Sequence, residues 1–152
     1  ITPEPGREIQ TELYFSPSDN VEDAIIKTIA GATKTIDFAV FTFTSKNIEN
    51  ALLDAVKRGV KVRGVYDAWQ TKSPATTYDD LLKKGVDVYK DGNDGLMHNK
   101  MMIVDGKKVV TGSANWTYSA DSKNDENILI LNDDQIASQF ADEFQTIYNN
   151  KK

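Results

Sequence analysis

Residues 97–116 read MHNKMMIVDGKKVVTGSANW, two apolar runs joined through Asp105-Gly106. Asp-Gly between apolar segments is a strong hairpin signal, because both residues tolerate the positive φ of a tight turn. The stretch therefore predicts two antiparallel strands. Side chains two apart on a strand project to the same side, so His98 and Lys100 point together, as do Ser113 and Asn115. The pairing presents an imidazole, an ammonium, a hydroxyl and an amide on one surface. Such a surface suits a phosphate: three of the groups donate to its oxygens, and histidine can attack it or give it a proton. Gly112 lets the backbone approach a ligand closely.

Upstream the periodicity alternates. Thr11 to Phe15 reads as a short strand after an irregular lead-in over residues 1–10, which contains Pro3, Pro5 and Gly6. Val21, Ala24, Ile25, Ile29 and Ala32 have helical spacing behind an Asp19 or Asn20 cap. Thr35 to Phe43 is rich in β-branched and aromatic residues and reads as a buried strand. Ser45 caps a helix with apolar positions Ile48, Ala51, Leu52, Ala55 and Val56, stopped by Gly59. A strand over VKVRGVYDA, a polar loop WQTKSPATT, a short helix Tyr78 to Lys84 and a brief strand VDVYK follow. ENILIL is another strand, and Asp133 to Tyr148 forms a closing helix. The pattern predicts an α/β fold with a mixed, mostly parallel central sheet flanked by helices on both faces, in one domain over residues 11–150.

With 152 residues, 39% of them hydrophobic, the chain has material for one core and little more. No run approaches the roughly 18 apolar residues of a membrane span. The start at Ile1 rather than Met leads to the expectation of a removed upstream piece, a signal peptide or an anchor, and of an exported bacterial protein. The absence of cysteine rules out a disulfide framework and thiolate metal sites. A net charge of -5 argues against a general polyanion-binding surface while leaving room for a local one. With one histidine and no cysteine, and with the acidic pairs at Asp79-Asp80 and Asp133-Asp134 placed as helix-start residues, no metal site or cofactor is expected.

Read singly, each residue has an ordinary explanation: a lone histidine is most often structural, Asp105 is a turn residue, and Gly112, Ser113 and Asn115 can simply end a strand. Together, His98-x-Lys100, Asp105, and Gly112-Ser113-x-Asn115 resemble the signature of the phospholipase D superfamily, with every defining position and spacing present. The segment from Val21 to Asp67 looks like the first half of the small bacterial phospholipase D-like endonucleases. Glu126 stands where that family has an acidic residue that orients the histidine.

The resemblance implies metal-independent phosphodiester hydrolysis through a covalent phosphohistidine. It also implies two copies of the motif per active site. This chain has one, so a homodimer with two-fold symmetry is expected to bring two copies of His98 together. One then attacks phosphorus while the other protonates the leaving oxygen, with Lys100, Ser113 and Asn115 neutralising the non-bridging oxygens and Glu126 holding the imidazole. Asp105 and Gly112 are expected to serve the scaffold. The favoured substrate is nucleic acid, DNA and secondarily RNA, with Trp69 and Lys72 stacking on and charge-pairing with a strand and Lys107 and Lys108 beside the site. A lipid phosphodiesterase of phospholipase D or cardiolipin-hydrolase type is the enzyme alternative. A non-catalytic nucleic-acid-binding dimer is the alternative of another class.

Overall fold

The computed structural model describes residues 4–152, so Pro3 and the first residues of the expected lead-in lie outside it. Seven strands form one sheet in the order β1-β7-β6-β5-β2-β3-β4. They are β1 Gln10–Ser16, β2 Thr35–Val40, β3 Lys61–Tyr66, β4 Asp87–Lys90, β5 Lys100–Val104, β6 Lys108–Gly112 and β7 Glu126–Asn132. The helices are α1 Val21–Ala30, α2 Lys46–Lys57, α3 Tyr78–Lys83, α4 Tyr118–Ser122 and α5 Asp134–Asn149, with a 3-10 turn at Gln70–Lys72.

The sheet is mixed and helix-flanked, as the pattern predicts, but its balance differs from mostly parallel. Only β2 with β3 and β3 with β4 run parallel. The pairs β1–β7, β2–β5, β5–β6 and β6–β7 are antiparallel. Parallel neighbours need a crossover, and α2 and α3 supply one each. The last three strands have no helical crossover into the sheet and enter by reversal.

Each helix start uses its own chemistry. The Asn20 side chain accepts from Asp23 N, Ser45 from Ile48 N and Asp133 from Ile136 N, each closing a donor the helix leaves open. One face of the sheet packs Phe38, Val40, Met102, Val104 and Val110 with Ile25 and Ile29 of α1 and Ile48 and Leu52 of α2. The other packs Ala39, Val65, Met101, Ile103 and Val109 under Ala137 and Phe144 of α5. Alternate residues of β2 and β5 thus serve opposite cores, which fixes their register.

The expected strand from Thr35 to Phe43 ends at Val40. Beyond it, Phe41 N–H donates to Asn99 O, Thr42 N–H to the Asn115 side chain, and Phe43 makes an isolated bridge to Trp116. The backbone there is tied to two different segments and cannot stay in a ladder. Helix α4 was not expected; Thr117 caps it by accepting from Ala120 N.

Asp105 and Gly106 hold φ of 54° and 64°, as a tight hairpin turn requires. The Asp105 carboxylate reaches back to the start of β2. It accepts from Thr33 N, Lys34 N and Thr35 N at 2.7–2.9 Å and from the Thr33 hydroxyl at 3.2 Å. Burial alone would raise its pKa, but these four donors outweigh burial and hold it below the usual carboxylate value. A depressed carboxylate contributes stability that is full above its unfolded pKa and disappears as pH falls through its folded pKa. Asp105→Asn, which keeps the turn's tolerance of positive φ and loses acceptor capacity, should destabilise by about 1–3 kcal/mol at neutral pH. In urea melts the gap to wild type should close as pH falls below the ordinary carboxylate range.

Candidate active site at one end of the sheet

Val40 pairs with both Tyr66 and Lys100, which puts the carboxyl ends of β2 and β3 beside the start of β5. Gly112 at the end of β6 pairs with Ile128 near the start of β7. Ligands of open α/β sheets bind outside the carboxyl ends of the parallel strands. His98, Lys100, Ser113, Asn115 and Glu126 all lie at that end.

His98 precedes the ladder and is exposed. The Phe41 ring packs on its imidazole with centroids 4.6 Å apart. Lys100 is the first residue of β5 and half-buried, and its Nζ lies 2.9 Å from His98 Nδ1, 3.2 Å from Nε2 and 2.7 Å from the His98 carbonyl oxygen. Neutral imidazole has one nitrogen without a proton, which can accept from that ammonium or attack phosphorus. Burial lowers the Lys100 pKa from its ordinary value, and the negative charge of Glu126 opposes that shift.

Ser113 is locked to β7. Its N–H donates to Asn127 O at 3.0 Å, its Oγ accepts from Asn127 N at 3.1 Å, and its hydroxyl donates to Glu126 Oε2. Glu126 Oε1 takes the Asn124 amide at 3.3 Å. The expected Glu126–His98 hydrogen bond is therefore not formed among the described residues; the carboxylate orients Ser113. Asn115 Oδ1 accepts from Thr42 N at 3.2 Å, which leaves its NH2 group free to donate.

The close approach that Gly112 permits is to protein and not to a ligand. A Cβ there would stand 2.2 Å from Asn127 O and 2.8 Å from Ile128 Cα, and φ is 154°. Asp105 lies at the other end of β5, where it clamps the turn. Lys107 and Lys108 sit at that same far end, about 13 Å of strand away from Lys100 at 3.3 Å per residue, so they are not beside the site. Trp69 and Lys72 do lie at the site end, in and just before the 3-10 turn that follows β3.

Two positioning residues escape a reading by motif. Phe41 carries no reactive group and stands in an aromatic run that looks like core. Asp67, fully buried, accepts from Trp69 N and Gln70 N at 3.0 Å and from Met97 N at 3.1 Å. It clips the residue before His98 to the loop after β3. An acidic residue at the end of an apolar strand was the one available signal. Among the described residues no group of three or more His, Cys, Asp or Glu is arranged to hold a metal ion.

Residues 25–148 match the family model described as "Cardiolipin synthase, PLD-like domain". The fold and the clustered motif define a phospholipase D-like domain, and the chain belongs to the phospholipase D superfamily. Mitochondrial cardiolipin hydrolase of Xenopus laevis is 36% identical over 131 residues, 86% of this chain and 62% of that protein, so the chain spans under two thirds of that relative's length. Among solved structures, Nuc of Salmonella typhimurium, a phospholipase D family member, superposes with a TM-score of 0.90 at 30% identity, covering 95% of this chain and 97% of that one. NucT of Helicobacter pylori superposes at 0.89 with 26% identity, covering 95% and 98%.

Two outcomes follow from this geometry. Glu126→Gln removes the charge that holds the Lys100 pKa up, so the Lys100 ammonium should titrate at lower pH than in wild type, measured by the pH dependence of its side-chain NMR shifts. Gly112→Ala pushes a methyl into the β7 backbone and displaces Ser113; a shift on the order of 1 Å should cost about 100-fold in turnover, read beside a circular-dichroism melt that reports whether the sheet survives.

Proposed function

We propose that the protein is a metal-independent phosphodiesterase that works through a covalent phosphohistidine at an active site shared by two copies of the chain, and that its substrate is DNA, with RNA as a second substrate. The observation that carries the reading is half a site: one exposed histidine whose ring nitrogens face an ammonium, beside a hydroxyl and a free amide, with no second histidine in the chain. In the first step His98 of one copy attacks phosphorus. The bond to the leaving oxygen breaks, and His98 of the other copy supplies its proton. In the second step that histidine takes a proton from water, the water oxygen bonds to phosphorus, and the phosphorus–nitrogen bond breaks. The products are a phosphomonoester and an alcohol.

Lys100 has to leave the ring for this to begin. A phosphate oxygen competes for the ammonium, so substrate binding itself uncovers the nucleophile. The free Asn115 NH2 and the Ser113 hydroxyl complete the set of donors around the non-bridging oxygens. The nucleic-acid reading is supported by the resemblance to small single-motif endonucleases and by near-full-length coverage of Nuc and NucT. The lipid reading is supported by the similarity to mitochondrial cardiolipin hydrolase and by exposed Trp69 and Leu96 at the site end.

Wild type and His98→Ala should be incubated in excess chelator with plasmid, single-stranded DNA, RNA and cardiolipin vesicles. Wild type should cleave nucleic acid and the variant should lose at least about 1,000-fold. Cleavage confined to vesicles would establish the lipid reading, and equal signals from both proteins on every substrate would leave only a binding module. The histidine pair should titrate together, giving a bell-shaped pH profile. Sedimentation at assay concentration should give a dimer; a strict monomer that retains activity would sink the shared site.

A further inference from the structure

The two tryptophans of the chain meet opposite fates. Trp116 is 3% exposed and packs against Phe38 and Phe43, whereas Trp69 is 64% exposed. Indole rings carry a large apolar surface and are mostly buried, so an open one calls for an explanation. Trp69 is not on a loose loop. Asp67 holds its N–H, the Thr71 hydroxyl donates to Ala68 O at 2.8 Å, and Gln70 Oε1 takes the Thr42 hydroxyl at 3.1 Å. One face of the ring carries the Lys72 ammonium, 3.7 Å from the centroid. The same Asp67 carboxylate that holds Trp69 N holds Met97 N, so the indole and His98 are fixed by one buried group.

From this we infer that Trp69 is a base-stacking platform next to the scissile phosphate, and that it makes single-stranded nucleic acid the preferred substrate. The inference rests on the nuclease reading above. A base has a free π face only when its stack is open, whereas a duplex shows edges and phosphates. A single strand can lay one base on the indole while Lys72 meets a backbone phosphate; a duplex can use only the lysine. The surrounding segment, Gln70, Thr71, Lys72 and Ser73, is polar, as a strand-binding loop would be and a membrane-inserting one would not. Tyr118, 67% exposed, is a contrasting aromatic: Glu22 and Asp121 line its cleft with Lys46, and Lys123 stands 5.6 Å from its ring centroid against 3.7 Å for Lys72 at Trp69, so no excess positive charge meets a phosphate there.

The test separates this inference from the reading beneath it. Binding is measured in a His98→Ala background, which should not cut, by fluorescence anisotropy of end-labelled oligothymidine and of a labelled duplex of equal length at fixed salt. Cleavage by the wild-type background is measured in parallel. Trp69→Ala should weaken binding of the single strand about 10-fold and raise its KM similarly, Trp69→Phe should recover part of the loss, and duplex cleavage and Tyr118→Ala should be unchanged. Equal losses on single strand and duplex, or no loss on either, overturn the inference. So does a Trp69→Ala defect confined to cardiolipin vesicles, which would make the ring a membrane contact. Wild type that cuts no nucleic acid refutes the nuclease reading on its own evidence, while the anisotropy series still reports whether Trp69 discriminates between the strands.

Discussion

Strand β5 lies antiparallel between β2 and β6, and the geometry of the site follows from that placement. Its ladder starts at Lys100, opposite Val40, so the Lys100 backbone is fixed by the sheet while His98, two residues earlier, is held by looser means. Those means are the Phe41 ring, the Phe41 N–H to Asn99 O bond and the Asp67 bond to Met97 N. The charge sits on a rigid element and the nucleophile on a clipped one. Burial of Met101 and Met102 on opposite faces prevents a one-residue slip, which would send Lys100 into a core.

Three carboxylates of this chain, those of buried Asp67 and Asp91 and of half-buried Asp105, serve the backbone. Asp67 has three N–H donors and Asp105 three with a hydroxyl, while Asp91 takes Ala68 N and Asn93 N. Each joins segments distant in sequence where no sheet ladder exists to do so. Unpaired backbone N–H groups in such loops would cost a few kcal/mol apiece if buried. The acidic balance of the chain thus has an internal use as well as a surface one, and net charge alone says little about what the site end attracts.

The sequence exposes the parts that depend on local pattern. The Asp105-Gly106 turn, the Ser45 cap and the period of α5 could be read directly, because each is decided by residues within one turn or one hairpin. The resemblance carried by His98, Lys100, Ser113 and Asn115 assembled the site, and the fold does bring those four to one end. What was not legible is what depends on strand order. The parallel share of the sheet was overestimated because nothing in NKMMIV says that it returns beside β2 the other way round. Lys107 and Lys108 are near the motif in sequence and far from it in space, since a strand separates them. Glu126 was assigned to the histidine because its family position suggested it, while its neighbour across the β6–β7 pair, Ser113, takes the bond.

The contact between Lys100 and both nitrogens of His98 has a consequence for selectivity. Under the proposed mechanism the nucleophile is covered by an ammonium of the same chain, two residues along. A neutral ester offers the ammonium only an uncharged acceptor, so it draws the lysine off the ring less strongly. An anionic ester draws the lysine off and uncovers the ring in one movement. Under that mechanism discrimination by charge precedes any recognition of sugar, base or acyl chain, and needs no pocket shaped to exclude uncharged esters.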